Sequence, residues 1–214
     1  MPVSVWVLML AQALSMSVAP LLMFSGGLVG SDLAPEPGWA TLPLALSVIG
    51  TALGVMPLTR LMQSIGRKWV FVAGTILAGL TALLAAYSVG IGSFALFCLA
   101  SLLSGGSLAV AQQYRFAAME TVSVDKAGRA ASQVLLGGLM AAYLGPELVV
   151  FGQGIGEQLS PATLRGDHIP FIGAFVLLSF ICLLAMLVIL LGYRNPVKQD
   201  IATSKAGRPL TEIF

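Results

Sequence analysis

The stretch RKWVFVAGTILAGLTALLAAYSVGIGSFALFCLASLLSGGSLAVAQQYR, residues 67–115, decides the fold. Between Lys68 and Arg115 it holds 46 consecutive uncharged residues. A hydrocarbon core about 30 Å thick is crossed by about 20 helical residues, each advancing about 1.5 Å. The stretch is therefore long enough for two crossings, with Gly90-Ile91-Gly92-Ser93 breaking it near the middle. Membrane strands would alternate apolar and polar residues over about ten positions, and no such period runs through it.

Working outward, the remaining charges bracket segments of similar length. No charge precedes Asp32, which leaves a first helix over about 3–29, and Glu36 and Arg60 bracket a second over 39–59. The quoted stretch divides into 69–90 and 93–117. Arg129 opens a fifth helix over 130–153, and Ile169 to Tyr193 is a sixth over 169–193. The composition agrees: 57% of the 214 residues are hydrophobic and 9% charged. A water-soluble domain carries roughly 25% charged side chains, so this chain has no polar skin to fold behind. Disorder is excluded by the hydrophobicity, and nucleic-acid binding by a net charge of +2. The expectation is an all-α membrane protein with a six-helix bundle over 1–194 and a cytoplasmic linker over 195–214.

Basic residues orient the bundle. Arg60, Arg67 and Lys68 lie between helices two and three, Lys126 and Arg129 between four and five, and Arg194, Lys198, Lys205 and Arg208 after six. The opposite loops hold Arg165 alone among basic residues, together with Asp32, Glu36, Glu157, Asp167 and His168. The positive-inside bias predicts both termini in the cytoplasm. The first ten residues carry no basic n-region, so they read as part of helix one rather than a cleaved signal.

Several polar residues stand out in this apolar setting. Gly66 suits a tight inter-helix turn. Arg67 and Lys68 then face the positive end of the next helix dipole, which implies an anionic partner: lipid phosphate, Glu120 or Asp125. Arg115, with Gln112 and Gln113 beside it, sits late in helix four. Such groups either snorkel to the interface or turn a polar face into the bundle. Glu147 follows Gly145-Pro146 in helix five, where a proline frees carbonyls that neighbours or a cavity must satisfy. An ionisable group inside a membrane is a functional candidate by default, so Arg115 and Glu147 are candidates for a proton or substrate pathway. Gln12, Ser15 and Ser17 add polar groups to helix one.

Cys98 and Cys182 both lie inside spans and read as packing residues. Ser107 and His168 invite comparison with an intramembrane serine protease. Ser107 is roughly 20 Å below the outer end of its helix and His168 at the mouth of another, while nucleophile and base must meet at about 3 Å. An enzyme is not expected, and Gly105-Gly106-Ser107 reads as a close helix-packing surface. Neither a metal nor another cofactor is implied.

Taken together, the six helices with both ends inside, the Gly66-Arg67-Lys68 turn, the late arginine of helix four and Gly145-Pro146 resemble the amino-terminal half of a major facilitator superfamily transporter. The family's loop motif G-x-L-a-D-r-x-G-R-K is met by Leu61, Gly66, Arg67 and Lys68, with Thr59 at the first glycine and Gln63 at the aspartate. Arg115 falls at the helix-four arginine, which the family often links to proton coupling. Gly145-Pro146 is similar to the helix-five antiporter motif, with Val149-Val150 at its trailing glycine pair. The segments Tyr114–Ala118, Gly145–Leu148 and Arg208–Ile213 resemble a group of uncharacterised bacterial transporters, in which the last of these leads toward helix seven.

The resemblance implies a 3+3 inverted repeat and a proton-coupled small-molecule transporter of the bacterial inner membrane, working by alternating access. Gln12, Gln112, Gln113, Arg115 and Glu147 would line its pathway, and the 60–68 turn would latch its inward side. One bundle cannot enclose such a cavity. Besides the lipid bilayer, a second six-helix half is therefore an expected partner: in the same chain, as a second copy or as a separate subunit. A non-transporting membrane scaffold that keeps the fold is the rival reading.

Overall fold

The computed structural model describes residues 1–159 and 169–193. Arg165, Asp167, His168 and the segment from Arg194 onward, including the 195–214 linker, lie outside the described residues. The helices are α1 (Val3–Met16), α2 (Val18–Leu33), α3 (Leu42–Ile65), α4 (Arg67–Gly90), α5 (Phe94–Ala111), α6 (Tyr114–Glu120), α7 (Val124–Leu159) and α8 (Ile169–Gly192). A short 3-10 turn, Pro37–Trp39, precedes α3, and no strand occurs among the described residues.

These helices make six spans long and apolar enough to cross a membrane: Val3–Leu33, Pro37–Ile65, Arg67–Gly90, Phe94–Glu120, Val124–Gly152 and Phe171–Gly192. The first span is α1 and α2 interrupted at Ser17. The fourth is α5 and α6 interrupted at Gln112-Gln113. Helices are what the bilayer requires, because every backbone N–H and C=O must find a partner inside the segment.

One turn precedes the quoted stretch and a second divides it. Gly66 alone joins α3 to α4 with φ of 88°, a left-handed conformation that side-chain-bearing residues rarely adopt. Gly92 at φ 68° reverses the chain between α4 and α5, and Ser93 caps α5 by accepting from the Leu96 N–H at 3.5 Å.

With lipid tails as apolar as leucine, the spans are held by close packing rather than by exclusion of water. One close contact is α3 against α5. A Cβ added to Gly54 would lie 3.2 Å from the Gly106 Cα, and one on Gly105 only 2.6 Å from the Thr51 nitrogen. Gly50 and Gly54 on α3 meet Gly105 and Gly106 on α5, so the two backbones touch directly. Elsewhere 11% of the apolar window of the α3 span is buried, against 61% for α4. The helix leans on α5 and leaves most of its circumference to lipid or a further bundle.

The interior divides into two apolar layers. One joins Val18, Leu22 and Val29 of α2 to Ala78–Val89 of α4, Phe97 of α5 and Phe175 and Leu178 of α8. The other, toward the Gly66 turn, joins Val5 and Leu8 of α1, Phe71 of α4, Tyr114 and Ala118 of α6, Val134 of α7 and Ile189 of α8. Several buried serine hydroxyls are satisfied along the chain's own helical turns: Ser17 donates to the Ala13 carbonyl at 2.8 Å, Ser101 to Phe97 at 2.9 Å and Ser107 to Ser104 at 2.7 Å. Such bonds let small polar residues line an apolar core without a partner on a neighbouring helix. Cys98 and Cys182 are free and buried.

Candidate functional site

Three groupings of polar side chains emerge. The first is at the Gly66 turn. Arg67 forms an ion pair with Glu120 at the end of α6, which answers the anion implied by two cations at the start of α4. Lys68 donates to the Leu190 carbonyl in the last turn of α8 at 2.9 Å, where a cation also suits the negative end of that helix's dipole. The Arg67–Glu120 pair is half-open to its surroundings, with side-chain exposures of 27% and 50%, so it fixes geometry more than it adds stability. Tyr193 is fully buried beside this cluster, with no hydrogen-bond partner for its hydroxyl among the described residues. Burial pushes its phenol up to about 12; the nearby Arg67 works against this shift and Glu120 with it. Gln63, at the motif's aspartate position, is exposed.

The second grouping lies where α1, α6 and α7 meet, at the two interruptions. Ser15, two residues before the break at Ser17, and Tyr114, directly after the break at Gln112-Gln113, share a hydrogen bond of 3.3 Å, so the broken spans are tied together next to their breaks. Tyr114 is buried and held edge-on by Phe71, with ring centroids 4.7 Å apart. Arg115 follows it, half-buried, its guanidinium 4.8 Å from the Phe116 ring centroid and its Nε without a partner among the described residues. Gln12, one turn before Ser15, is 3% exposed with its Oε1 unpartnered. It can approach α7 because Gly137 stands opposite, where an added Cβ would be 3.2 Å from the Gln12 Cβ. One turn back along α7 from Gly137 is Gln133, half-buried, its Oε1 likewise unpartnered.

Gln133 and Tyr114 were not singled out by sequence reasoning. The signal for Gln133 is a carboxamide four residues before Gly137, hence on the same helical face, in a helix whose observed start at Val124 carries that residue well inside. Of the two glutamines before Arg115, Gln113 is half-buried, whereas Gln112 is exposed on the bundle surface and not turned into its core.

The third grouping is Gly145-Pro146-Glu147. Helix α7 runs on from Val124 to Leu159 through Pro146, so the interruptions fall in the first and fourth spans instead. Gly145 lets α2 press close: a Cβ there would be 2.6 Å from Pro20 Cγ and 3.0 Å from the Leu21 nitrogen. Glu147 is half-buried. It lies 14 residues beyond Gln133 on α7, about 21 Å along the axis, so the structure does not bring Glu147 together with the Arg115 grouping. No cluster of three metal-ligating side chains occurs among the described residues.

Comparison with known proteins accounts for these parts. The sequence profile of the Major Facilitator Superfamily matches residues 3–214. The chain belongs to the major facilitator superfamily. Its six apolar spans, all-helical build and Gly66-Arg67-Lys68 turn are thus those of a transporter family and not of an enzyme. Among superfamily relatives, the riboflavin transporter RfnT of Brucella anthropi is 35% identical over 212 residues, which are 97% of this chain and 50% of RfnT. The uncharacterized MFS-type transporter YddS of Bacillus subtilis is 26% identical over 159 residues, 74% of this chain and 36% of YddS. The chain spans half the length of the first of these relatives, and less of the second. No solved structure gives a significant match.

Proposed function

We propose that this chain is the amino-terminal half of a proton-coupled major facilitator transporter of the bacterial inner membrane, that both its termini are cytoplasmic, and that it works with a second six-helix half. The observation that carries this reading is the identity of 35% over nearly the whole chain, confined to half of a named transporter. Transporters of this architecture bind solute near the midplane between two bundles and rock them alternately open to each side. The largely unburied α3, with exposed Val48, Leu53 and Met56, supports a role for that face against lipid or the second bundle.

We further infer that the cargo is a flavin-class solute. That inference rests on the relative's named substrate together with the half-buried amide and guanidinium groups where α1, α6 and α7 meet. Arg115 and Glu147 are the groups assigned to proton coupling, and the Arg67–Glu120 pair is assigned to latching the cytoplasmic side. Gly145 and Pro146, set against α2, are assigned to the moving contact between α2 and α7.

The test is riboflavin uptake by the complete protein in proteoliposomes under an imposed proton gradient. Uptake that collapses with a protonophore, and that Glu147→Gln or Arg115→Ala uncouples, is the expected result. Full proton-driven uptake in both variants removes the coupling assignment. No gradient-dependent movement of any solute would favour a non-transporting scaffold instead.

A further inference from the structure

We propose that Gln12, Gln133 and Arg115 form a hydrogen-bonding cradle that reads an amide edge of the transported solute, a ring N–H beside a carbonyl oxygen. The proposal rests on the flavin-class reading above and deepens it to named atoms.

The starting point is a set of groups whose capacity goes unused. Gln12 Oε1, Gln133 Oε1 and Arg115 Nε are all buried, and none has a partner among the described residues. A buried donor or acceptor left unmade costs roughly 1–3 kcal/mol, more when charged, so three at one helix junction are retained against a steady penalty. Serine hydroxyls elsewhere in the bundle escape that penalty by bonding to their own helices, as Ser17, Ser101 and Ser107 do, while the other unpartnered buried atoms among the described residues, Arg67 Nη1 and the Tyr193 hydroxyl, lie together at the Gly66 turn. The contrast separates the cradle from the buried serines of the core.

Their juxtaposition follows from three contacts. Gly137 of α7 lies against Gln12, and Gln133 is one turn from Gly137 on the same face. Tyr114 bonds Ser15 one turn from Gln12, and Arg115 is the next residue after Tyr114. Ala117 and Ala118 of α6 share one apolar cluster with Ala130 and Val134 of α7, the residues that flank Gln133. All three residues therefore lie at one junction of α1, α6 and α7.

The pattern of unmet atoms selects a ligand chemistry. Two acceptors and one cationic donor are on offer. A carboxylate would satisfy Arg115 but bring no N–H for the two glutamine oxygens. An ammonium would suit the glutamines but be repelled by Arg115. A neutral amide edge satisfies both: its N–H donates to one glutamine oxygen while Arg115 Nε–H donates to the adjacent carbonyl. A further donor, as a sugar-alcohol hydroxyl supplies, meets the second glutamine. The isoalloxazine ring of riboflavin carries such an edge at N3–H between two carbonyls, and its ribityl chain carries the hydroxyls. Sites built to hydrogen-bond a substrate group reject analogues that lack it, because the site's own polar atoms are then left unpaired.

The experiment measures binding and uptake of riboflavin and of its N3-methyl analogue by the complete membrane-embedded protein, wild type and with Gln12→Leu or Gln133→Leu. The wild type should prefer riboflavin by about tenfold or more, and each leucine variant should bring that ratio toward unity. If riboflavin is transported but the wild type takes both flavins equally, the cradle is overturned and the flavin reading stands. If neither flavin binds, the flavin reading fails and the cradle fails with it. Should a variant not reach the membrane, the analogue comparison in the wild type alone decides.

Discussion

Replacing Gly105 with alanine probes the direct backbone contact between α3 and α5. The added Cβ would stand 2.6 Å from the Thr51 nitrogen and 2.8 Å from the Gly50 carbonyl carbon, and would overlap the Ser47 carbonyl oxygen. All three are backbone atoms, so no side chain can swing aside. Carbon contacts are comfortable at about 3.5–4.0 Å, so α3 must retreat by roughly 1 Å along the seam where Gly50 and Gly54 meet Gly105 and Gly106. Overpacking of this kind costs about 1–3 kcal/mol, and the better helix propensity of alanine returns up to about 1 kcal/mol. At about 2–4 °C per kcal/mol for a chain of this size, a net loss of about 1–2 kcal/mol lowers the melting temperature by about 2–8 °C. Gly138→Ala is the matched control, since nothing lies within 4 Å of a Cβ there. The control should melt at or slightly above the wild type. Thermal unfolding of the purified protein in lipid nanodiscs, followed by tryptophan fluorescence, measures both. A Gly105→Ala protein that melts as high as Gly138→Ala would refute direct backbone contact between α3 and α5.

Three other outcomes follow from the polar contacts. Tyr114→Phe and Ser15→Ala should each destabilise the bundle, and the double variant should show a coupling of about 0.6 kcal/mol in a double-mutant cycle, as for hydrogen bonds within membranes. Arg67→Ala and Glu120→Gln should leave the melting temperature within about 3 °C of wild type, because the pair is half-exposed, while changing transport rate if the pair latches the inward side. The folded Tyr193 phenol, pushed up to about 12, lies above the ordinary value of about 10, so the folded state holds that proton more tightly than the unfolded one. Stability is therefore lost as pH rises from about 10 through about 12, and Tyr193→Phe should flatten that loss in a pH series of melting temperatures.

The number of spans was legible because charge and lipid are incompatible, and the gaps between charges report helix lengths directly. Gly66, Gly92 and the Gly105-Gly106 seam were legible too, since only glycine answers a positive φ or a backbone-to-backbone approach. The interruptions at Ser17 and Gln112-Gln113 were not. Neither has proline or glycine at the break, and a proline does sit within α7, at Pro146, without ending that helix. Breaks inside a membrane are set by what neighbouring helices can do for the freed backbone, and that is tertiary information.

The same reasoning explains why Arg115 and Glu147, both candidates for a proton or substrate pathway, lie at different levels of the bundle. Spacing along a sequence orders charges by segment, and both fall in segments that cross the bilayer. Depth depends on direction of travel: the fourth span runs back toward the Gly66 end, so Arg115 comes late in it, while the fifth leaves that end at Val124 and reaches Glu147 only after 23 further residues, about 35 Å along the axis. A proton pathway using both groups would have to run about 21 Å along α7, from the level of Gln133 to Glu147. Along that helix the stripe facing α1 and α2 is Val134, Gly137, Ala141, Gly145 and Leu148, all apolar and all buried. No continuous line of polar side chains runs along that face among the described residues, and we propose that coupling between the two levels passes through the Gly137 and Gly145 contacts where α1 and α2 bear on α7. Gly145→Val tests this: it should uncouple proton movement from solute movement with Arg115 and Glu147 both intact, whereas tight coupling in that variant would send the search to the exposed face of α7.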